Sequence, residues 1–295
     1  MRSMPSAEVD VSPELVRKLL HAQHQDLAAL PIELLANGWD NVIFRLGDDL
    51  LVRLPRRELG AQLVINEQQW LPVLAPRLPL RIPAPVRTGQ PAEGYPWPWS
   101  VVPFLPGELA AITPLADPDH AAADLGAFLS SLHEDAPPEA PVNPVRGGPL
   151  AARDDAVTQN MTALGERIDR AKVQRLWDVA RTTPPWSRKP VWLHGDLHPA
   201  NILVRHGQLS AVIDFGDITS GDPATDLAAA WMLFTAPGDR DVFWDAYGKA
   251  DDNTKARAKG WALGFSLVYM AHSADNPLMA GIGHRLHATV LSEKR

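Results

Sequence analysis

The chain has 295 residues, of which 45% are hydrophobic and 21% are charged, and this composition is typical of a folded globular protein. Its net charge of -7 and the absence of a basic run argue against nucleic acid or an anionic membrane as a partner. The lack of cysteine excludes disulfides and thiolate metal sites. Since there is neither a secretory signal nor an apolar stretch of about 20 residues, we expect a cytoplasmic monomer or homodimer.

The first predicted element is a helix over residues 13–30, with Ser12 as its N-cap and Pro13 at its first position. Apolar runs separated by turn residues then predict three antiparallel strands. These strands cover residues 32–35, 42–46 and 50–54. The loop around Gly38 can place backbone N–H groups over phosphates, although an ordinary hairpin loop is an equally good interpretation.

The third strand and the helix predicted over residues 60–74 indicate a buried ion pair. Leu51 and Arg53 share one face of the strand because side chains alternate, and this face suits an adenine ring and a phosphate beyond it. In the helix, Glu67 stands at helical spacing from the leucines, so its carboxylate lies on the apolar face. A buried carboxylate needs a partner, and Arg53 is the natural candidate for Glu67.

Extended segments at residues 82–86 and 99–103 complete a predicted five-stranded sheet. The Pro- and Gly-containing segment 104–107 is the predicted linker, where backbone groups near Val102 and Phe104 can bind the edge of an adenine; a plain turn is the alternative. We therefore divide the chain into two parts. They are an N-terminal nucleotide-binding lobe over residues 1–103 and a C-terminal catalytic and substrate-binding lobe over residues 104–295.

Beyond the linker the apolar pattern becomes helical. One helix is predicted to end at His133, and another covers residues 150–168 with Asp154 and Asp155 near its start. Further helices are predicted from residue 221 to residue 291, so the second lobe is mostly α-helical.

The apolar run at residues 191–193 leads to Asp196, and the run at 211–213 leads to Asp214. The turn at His206 predicts a hairpin before Asp214. Asp196 can orient an acceptor hydroxyl and take its proton late in a phosphoryl transfer. Asn201 and Asp214 supply the oxygen ligands that Mg²⁺ prefers.

An alternative interpretation is a metal-dependent hydrolase, because His194, Asp196 and His198 alternate like metal ligands on an extended segment. A hydrolytic centre usually needs further His or Asp clusters, and the remaining histidines are scattered. We therefore favour phosphoryl transfer.

Four short motifs carry a resemblance to a known family; they are residues 194–201 (HGDLHPAN), 213–216 (IDFG), 222–223 (DP) and 226–227 (DL). In these motifs the chain resembles the aminoglycoside phosphotransferase family, to which macrolide phosphotransferases and choline kinases are related. The resemblance implies an α+β, bilobal protein-kinase-like fold, with a small antiparallel-sheet N-lobe and a larger, mostly helical C-lobe.

The resemblance also implies residue roles. Asp196 is the catalytic base, Asn201 and Asp214 bind magnesium, and Asp226 braces the catalytic loop, which His194 and His198 also support. The implied cosubstrate is ATP, with GTP as the alternative.

Two departures from the family pattern bear on function. Arg53 stands where the family usually has lysine, and its guanidinium, paired with Glu67 over the phosphates, is not a like-for-like exchange. No Ala-Pro-Glu segment follows Gly216, which disfavours a protein substrate. The sequence thus predicts a kinase of a small hydroxylated molecule. A catalytically inactive, kinase-like binding protein is the alternative.

Four acids outside the motifs indicate a cationic acceptor; they are Asp154, Asp155, Asp217 and Asp275. They favour an aminoglycoside or a related antibiotic and therefore a role in antibiotic resistance. A macrolide would need an apolar wall, which aromatic residues such as Trp261 can supply, and an amino-alcohol metabolite is a further alternative.

Overall fold

An antiparallel sheet of five strands forms the first layer of the fold in the computed structural model, which describes residues 6–293. The strands, in the order β1-β2-β3-β5-β4, are β1 (Ile32–Asn37), β2 (Asn41–Leu46), β3 (Leu50–Pro55), β4 (Arg87–Gly89) and β5 (Trp99–Pro103). Helix α1 (Pro13–Gln23) packs on this sheet, and α2 (Glu58–Leu74) connects β3 to the segment before β4. The five-stranded sheet predicted from the sequence is confirmed.

The sheet has a hydrophobic core of its own. In β2, alternate residues Val42, Phe44 and Leu46 are buried and belong to one cluster with Leu19 and Leu20 of α1. This alternation follows from the period of two along a strand, and the cluster stabilises the small lobe by removing apolar surface from water.

Two predicted boundaries in this lobe are wrong. Helix α1 ends at Gln23 rather than near residue 30, because the chain turns at His24 and the following turns bury Leu27 and Leu30 partly in the same core. The sheet strand lies at Arg87–Gly89 rather than over residues 82–86, since the two prolines of that segment have no N–H to donate to a ladder.

The second lobe contains two small antiparallel sheets, one of three strands and one of two, and most of the helices. Its strands are β6 (Glu108–Leu109), β7 (Val191–Leu193), β8 (Ile202–Arg205), β9 (Gln208–Val212) and β10 (Thr219–Gly221). Its helices are α3 (Pro118–Leu132), α4 (Asp154–Leu164), α5 (Arg170–Arg181), α6 (Ala224–Leu227), α7 (Ala229–Leu233), α8 (Pro237–Tyr247), α9 (Asp252–His272) and α10 (Pro277–Ser292). The β8–β9 hairpin and the mostly helical character agree with the sequence-based expectation.

Helix α4 is shorter than predicted. It follows a 3₁₀ turn at Leu150–Arg153 and stops at Leu164, where Gly165 adopts a positive φ of 55° that ends the helix. Within residues 6–293, no helix combines the length and the apolar character that crossing a bilayer requires.

A second and larger hydrophobic core fills the C-terminal lobe, and Leu71 and Leu74 from the end of α2 join it. The two cores make the fold α+β and bilobal, as predicted. The boundary after residue 103 stays a prediction.

Candidate active site

The loop at residues 194–201 follows β7, and the buried carboxylate of Asp226 holds its first two residues. The backbone N–H groups of His194 and Gly195 donate to Asp226 Oδ2 at 2.7 Å and Oδ1 at 2.9 Å. Asp226 is fully buried at α6, and His133 Nε2 lies 3.3 Å from its Oδ2. One side chain thus satisfies two backbone donors and fixes the start of the loop.

Gly195 is required by the path of this loop. Its φ is +87°, and a Cβ at this position would lie 2.2 Å from the carbonyl oxygen of Asp217. Only glycine allows the loop to approach residue 217 this closely.

Asp196 lies at the tip of the loop between two cationic or proton-donating side chains. Its Oδ1 accepts a hydrogen bond from Arg146 NH2 at 3.0 Å, and its Oδ2 lies 3.4 Å from His198 Nε2. Burial opposes its charge, yet the hydrogen bond and charge of His198, together with Arg146 and His194, hold the pKa of Asp196 well below its usual range. Asp196 is therefore a carboxylate, available to accept a hydrogen bond from a hydroxyl group.

His194 is fully occupied inside the protein. Its Nε2 donates to the carbonyl oxygen of Ile213 at 2.9 Å, and its Nδ1 accepts from the N–H of Asp196 at 3.2 Å. Because both ring nitrogens are engaged, His194 ties the loop to the end of β9 and has no nitrogen left for a metal. This arrangement argues against the metal-hydrolase interpretation.

Asn201 and Asp214 face one cavity and offer it oxygen atoms. The Nδ2 group of Asn201 donates to the carbonyl oxygen of Asp196 at 3.0 Å, which turns its amide oxygen away from the loop. Among residues 6–293 there is no cluster of three or more His, Asp or Glu side chains around a metal-sized space. One amide and one carboxylate suit Mg²⁺, which is commonly completed by water and phosphate oxygens.

The same cavity runs between the two lobes and has a volume of about 350 Å³. Five of the six residues predicted for nucleotide binding line this cavity, and Glu67 does not; the five are Gly38, Leu51, Arg53, Val102 and Phe104. Its mixture of an apolar slot and convergent polar groups is typical of a small-molecule site.

The buried ion pair predicted beside this cavity is present, with Arg53 NH1 2.9 Å from Glu67 Oε1. Both side chains are buried. Burial opposes the charge on the guanidinium, but the carboxylates of Glu67 and Asp214 more than offset it and raise the pKa of Arg53. The cavity wall therefore carries a fixed positive charge next to the candidate metal ligands.

One proposed nucleotide contact is not available. The N–H of Phe104 donates to the carbonyl oxygen of Asp49 at 2.7 Å, so it is not free to bind an adenine edge. The guanidinium of Arg45 instead lies over the ring of Phe104, with Cζ 3.4 Å from the ring centroid, and this cation–π contact fixes the linker.

The four acids predicted to bind the acceptor do not form one cluster. Asp217 lies beside the Asp196 loop, where burial and then the charge of Asp196 raise the pKa of Asp217. Asp154 accepts from Trp177 Nε1 at 2.8 Å, and Asp217 accepts from Asn143 Nδ2 at 2.8 Å. Asp155 and Asp275 are exposed. None of the four lines the interlobe cavity or a second, smaller cavity, which is lined in part by Arg146, the partner of Asp196.

Sequence reasoning named Trp261 for an apolar wall and missed the other residues that line this second cavity. They include Arg146, Arg153, Trp177, Phe265 and Tyr269. Residue 146 belongs to a Pro- and Gly-rich stretch, and it meets Asp196 only through the fold, 50 residues along the chain. No local pattern carries that signal.

The fold is similar to those of solved antibiotic phosphotransferases. The chain matches a GDP and kanamycin complex of APH(2")-IIia with 21% identity and a TM-score of 0.69, over 93% of this chain and 97% of that chain. It matches the macrolide 2'-phosphotransferase MphH from Brachybacterium faecium with 22% identity and a TM-score of 0.60, over 96% and 99%. An ADP-bound APH(2'')-Ib matches at 18% identity and a TM-score of 0.59, over 95% and 98%.

These likenesses show the kinase-like fold. A comparison with curated protein sequences finds no match. The model of the phosphotransferase enzyme family (APH) matches residues 31–261, which is most of the chain. The chain therefore belongs to the phosphotransferase enzyme family.

Proposed function

We propose that this phosphotransferase moves the γ-phosphoryl group of ATP to a hydroxyl group of a small molecule. The observation that carries the proposal is that one residue from the interlobe cavity and one from the second cavity contact Asp196. Asn201 contacts the backbone of Asp196 from the first cavity, and Arg146 contacts its carboxylate from the second. A hydroxyl entering beside Asp196 would face a phosphate bound in the interlobe cavity.

In the proposed reaction, the acceptor oxygen forms a bond to the γ-phosphorus while the bond from this phosphorus to the β,γ-bridging oxygen breaks. Asp196 orients the hydroxyl and takes its proton, and the nucleoside diphosphate leaves. Because the pKa of Asp196 is low, the proton moves late, when the new bond to phosphorus has made the hydroxyl acidic.

We propose that Asn201 and Asp214 hold Mg²⁺ with the phosphate oxygens and that Arg53, paired with Glu67, faces the phosphates. When bound, the metal neutralises charge on the transferred group. The guanidinium of Arg53 offers a planar fork of donors that can bind two phosphate oxygens at once. Leu51 lines the apolar part of the cavity, where we place the base.

The choice of ATP over GTP is part of this proposal. Solved relatives are complexes with GDP and with ADP, so the fold accommodates either base. Competition between the two nucleotides in a calorimetric titration decides the question, and a clear guanine preference would reverse the choice.

The proposed function is tested by a phosphotransfer screen of the purified protein with aminoglycosides, macrolides, amino alcohols and hydroxy acids, read by product mass. We expect at least one acceptor to gain a phosphoryl group in the presence of ATP and Mg²⁺. Nucleotide binding without turnover on any acceptor would favour an inactive, kinase-like binding protein. The cytoplasmic location, the monomeric or dimeric state and a role in antibiotic resistance remain predictions.

A further inference from the structure

The second cavity shares no lining residue with the interlobe cavity and is linked to Asp196 through Arg146. Arg146 connects the second cavity to Asp196, because it lines the cavity and pairs with the carboxylate of Asp196. Tyr269 also lines the cavity, and its ring meets the ring of His198 edge-on at 6.0 Å. A molecule in this cavity would therefore reach the loop that carries Asp196.

The charge of this cavity is positive. Among the described residues that line it there is no aspartate or glutamate, and the two ionisable groups with full charge are Arg146 and Arg153. The rest of the wall is mostly apolar and includes four aromatic side chains, and the guanidinium of Arg146 lies 5.1 Å from the centroid of Phe265. A polycationic guest would bring further positive charge against these two arginines at close range.

Arg153 is the less neutralised of the two. Arg146 has the carboxylate of Asp196 and the carbonyl oxygen of Gly195 as partners. Within residues 6–293, Arg153 makes neither an ion pair nor a hydrogen bond through its side chain, although it is half-buried. Burial and the neighbouring charge of Arg146 lower the pKa of Arg153, which is the response expected of a cation without an anionic partner.

We propose that this cavity binds the acceptor and that the acceptor is a small alcohol carrying an oxyanion, a carboxylate or a phosphate, on an aromatic or apolar body. The inference rests on the proposed phosphotransfer and specifies its substrate class. The oxyanion binds Arg153, the apolar body lies against Trp261 and Phe265, and the hydroxyl points past Arg146 towards Asp196. The cavity volume of about 100 Å³ favours a molecule much smaller than a macrolide.

A matched series of probes tests the charge preference, since its members differ only in one substituent. The series consists of para-hydroxymethyl benzoate, para-hydroxymethyl phenyl phosphate, para-hydroxymethyl benzamide and para-aminomethyl benzyl alcohol, with kanamycin as a polycation. Binding to the wild-type protein is measured by calorimetry, and transfer is measured as kcat/KM with ATP and Mg²⁺. We expect the affinity and the kcat/KM of an anionic probe to exceed those of the amine by about tenfold or more, the ratio that one charge-assisted hydrogen bond supplies. The benzoate and the phenyl phosphate then distinguish the two oxyanions.

Two variants assign the preference to Arg153. Arg153→Gln should remove the advantage of the anionic probe, and Arg153→Glu should reverse the order of anion and amine. A merely structural role would weaken all probes alike and would leave their ratio unchanged. Arg175→Glu is the matched control, because Arg175 is an exposed arginine on α5 outside the cavity lining.

The outcomes separate this inference from the proposed function. Preference of the wild-type protein for the amine or for kanamycin, or an unchanged ratio in Arg153→Glu, would overturn the inference and leave phosphotransfer intact. No measurable binding of either anionic probe at millimolar concentration would also overturn it. Binding of an anionic probe without transfer to any acceptor would support the cavity assignment and would count against the proposed function.

Discussion

Asp196 is held between Arg146 and His198, and its carboxylate is only partly exposed. We predict that Asp196→Ala lowers turnover by roughly a hundredfold or more, the contribution of a positioned base, while nucleotide binding is retained. Turnover and calorimetric nucleotide binding are the two measurements. Asp241→Ala, which removes an exposed carboxylate of α8, is the control. Wild-type turnover in Asp196→Ala would contradict the assignment.

Gly195 gives a second prediction at this scale. Gly195→Ala places a methyl group 2.2 Å from the carbonyl oxygen of Asp217 and forces an alanine to φ +87°. We expect the variant to lose turnover and to be destabilised by roughly 1–3 kcal/mol or more, as for other strained backbone positions. Urea unfolding measures the free energy, and Gly148→Ala is the control because no atom lies within 4 Å of its Cβ position. Equal stability of the two variants would refute the steric argument.

At the scale of single residues, local sequence located the Asp196 loop and the candidate metal ligands, but of the second cavity it indicated only Trp261. Asp196, Asn201 and Asp214 fall in short motifs whose spacing is fixed by one loop and one hairpin. Arg146 and Arg153 come from outside those motifs, and only the packing of distant segments brings them to Asp196. The acids of α4 do not line the second cavity, and Asp154 instead accepts a hydrogen bond from Trp177 of α5.

The packing of α10 on α9 buries a titratable ring. His287 Nδ1 lies 3.2 Å from Ser266 Oγ across the two helices. Burial, with a smaller contribution from His284, lowers the pKa of His287 below its value in the unfolded chain. The unfolded state therefore binds more protons below about pH 6.5, and the free energy of unfolding falls as the pH decreases through this range.

We predict that His287→Gln reduces this part of the pH dependence. The expected result is a smaller loss of melting temperature between about pH 7.5 and about pH 5.5 than in the wild-type protein, since the variant has no ring to protonate. His21→Gln, at an exposed position of α1, should keep the wild-type slope. Equal slopes in all three proteins would show that His287 is not the group responsible.

At the scale of elements, hydrophobic period and turn residues located the strands and most helices, whereas the ends depended on tertiary contacts. The chain leaves α1 at His24 because burying Leu27 and Leu30 requires a change of direction, which periodicity alone does not encode. The proline segment at 82–86 is extended as predicted, but ladder hydrogen bonding begins only where N–H donors return at Arg87–Gly89.

Residues 6–293 contain one large hydrophobic core in each lobe and a small third cluster of Leu105, Leu203 and Ala211, and the interlobe cavity is lined by residues of both lobes. A nucleotide that binds only the folded protein stabilises it by about 2.7 kcal/mol at a hundredfold excess over Kd. We therefore predict a rise of several degrees in the melting temperature with ATP and Mg²⁺. A chelator should remove the metal-dependent part of this rise.

Asp214→Ala should lose the metal-dependent part of the rise in melting temperature, because one of the two proposed magnesium ligands is gone. Thermal unfolding with ATP alone, with ATP and Mg²⁺, and with both plus chelator provides the comparison for wild type and variant. An unchanged response to Mg²⁺ in Asp214→Ala would remove Asp214 from the metal site. The bilobal fold itself was predictable, because the motifs between residues 194 and 227 indicate the family and the family implies this fold.

The attachment of the Asp196 loop has a consequence for the order in which substrates bind. The loop is held by Asp226 and Arg146, and among residues 6–293 the proposed acceptor cavity is lined only by residues between Arg146 and Tyr269. The proposed nucleotide cavity, in contrast, is lined by residues of both lobes. The acceptor site is therefore complete before a nucleotide arrives, and we predict a random-order mechanism. Initial-velocity and dead-end inhibition patterns test this, and a nucleotide-first compulsory order would show that the acceptor site forms only after the lobes close.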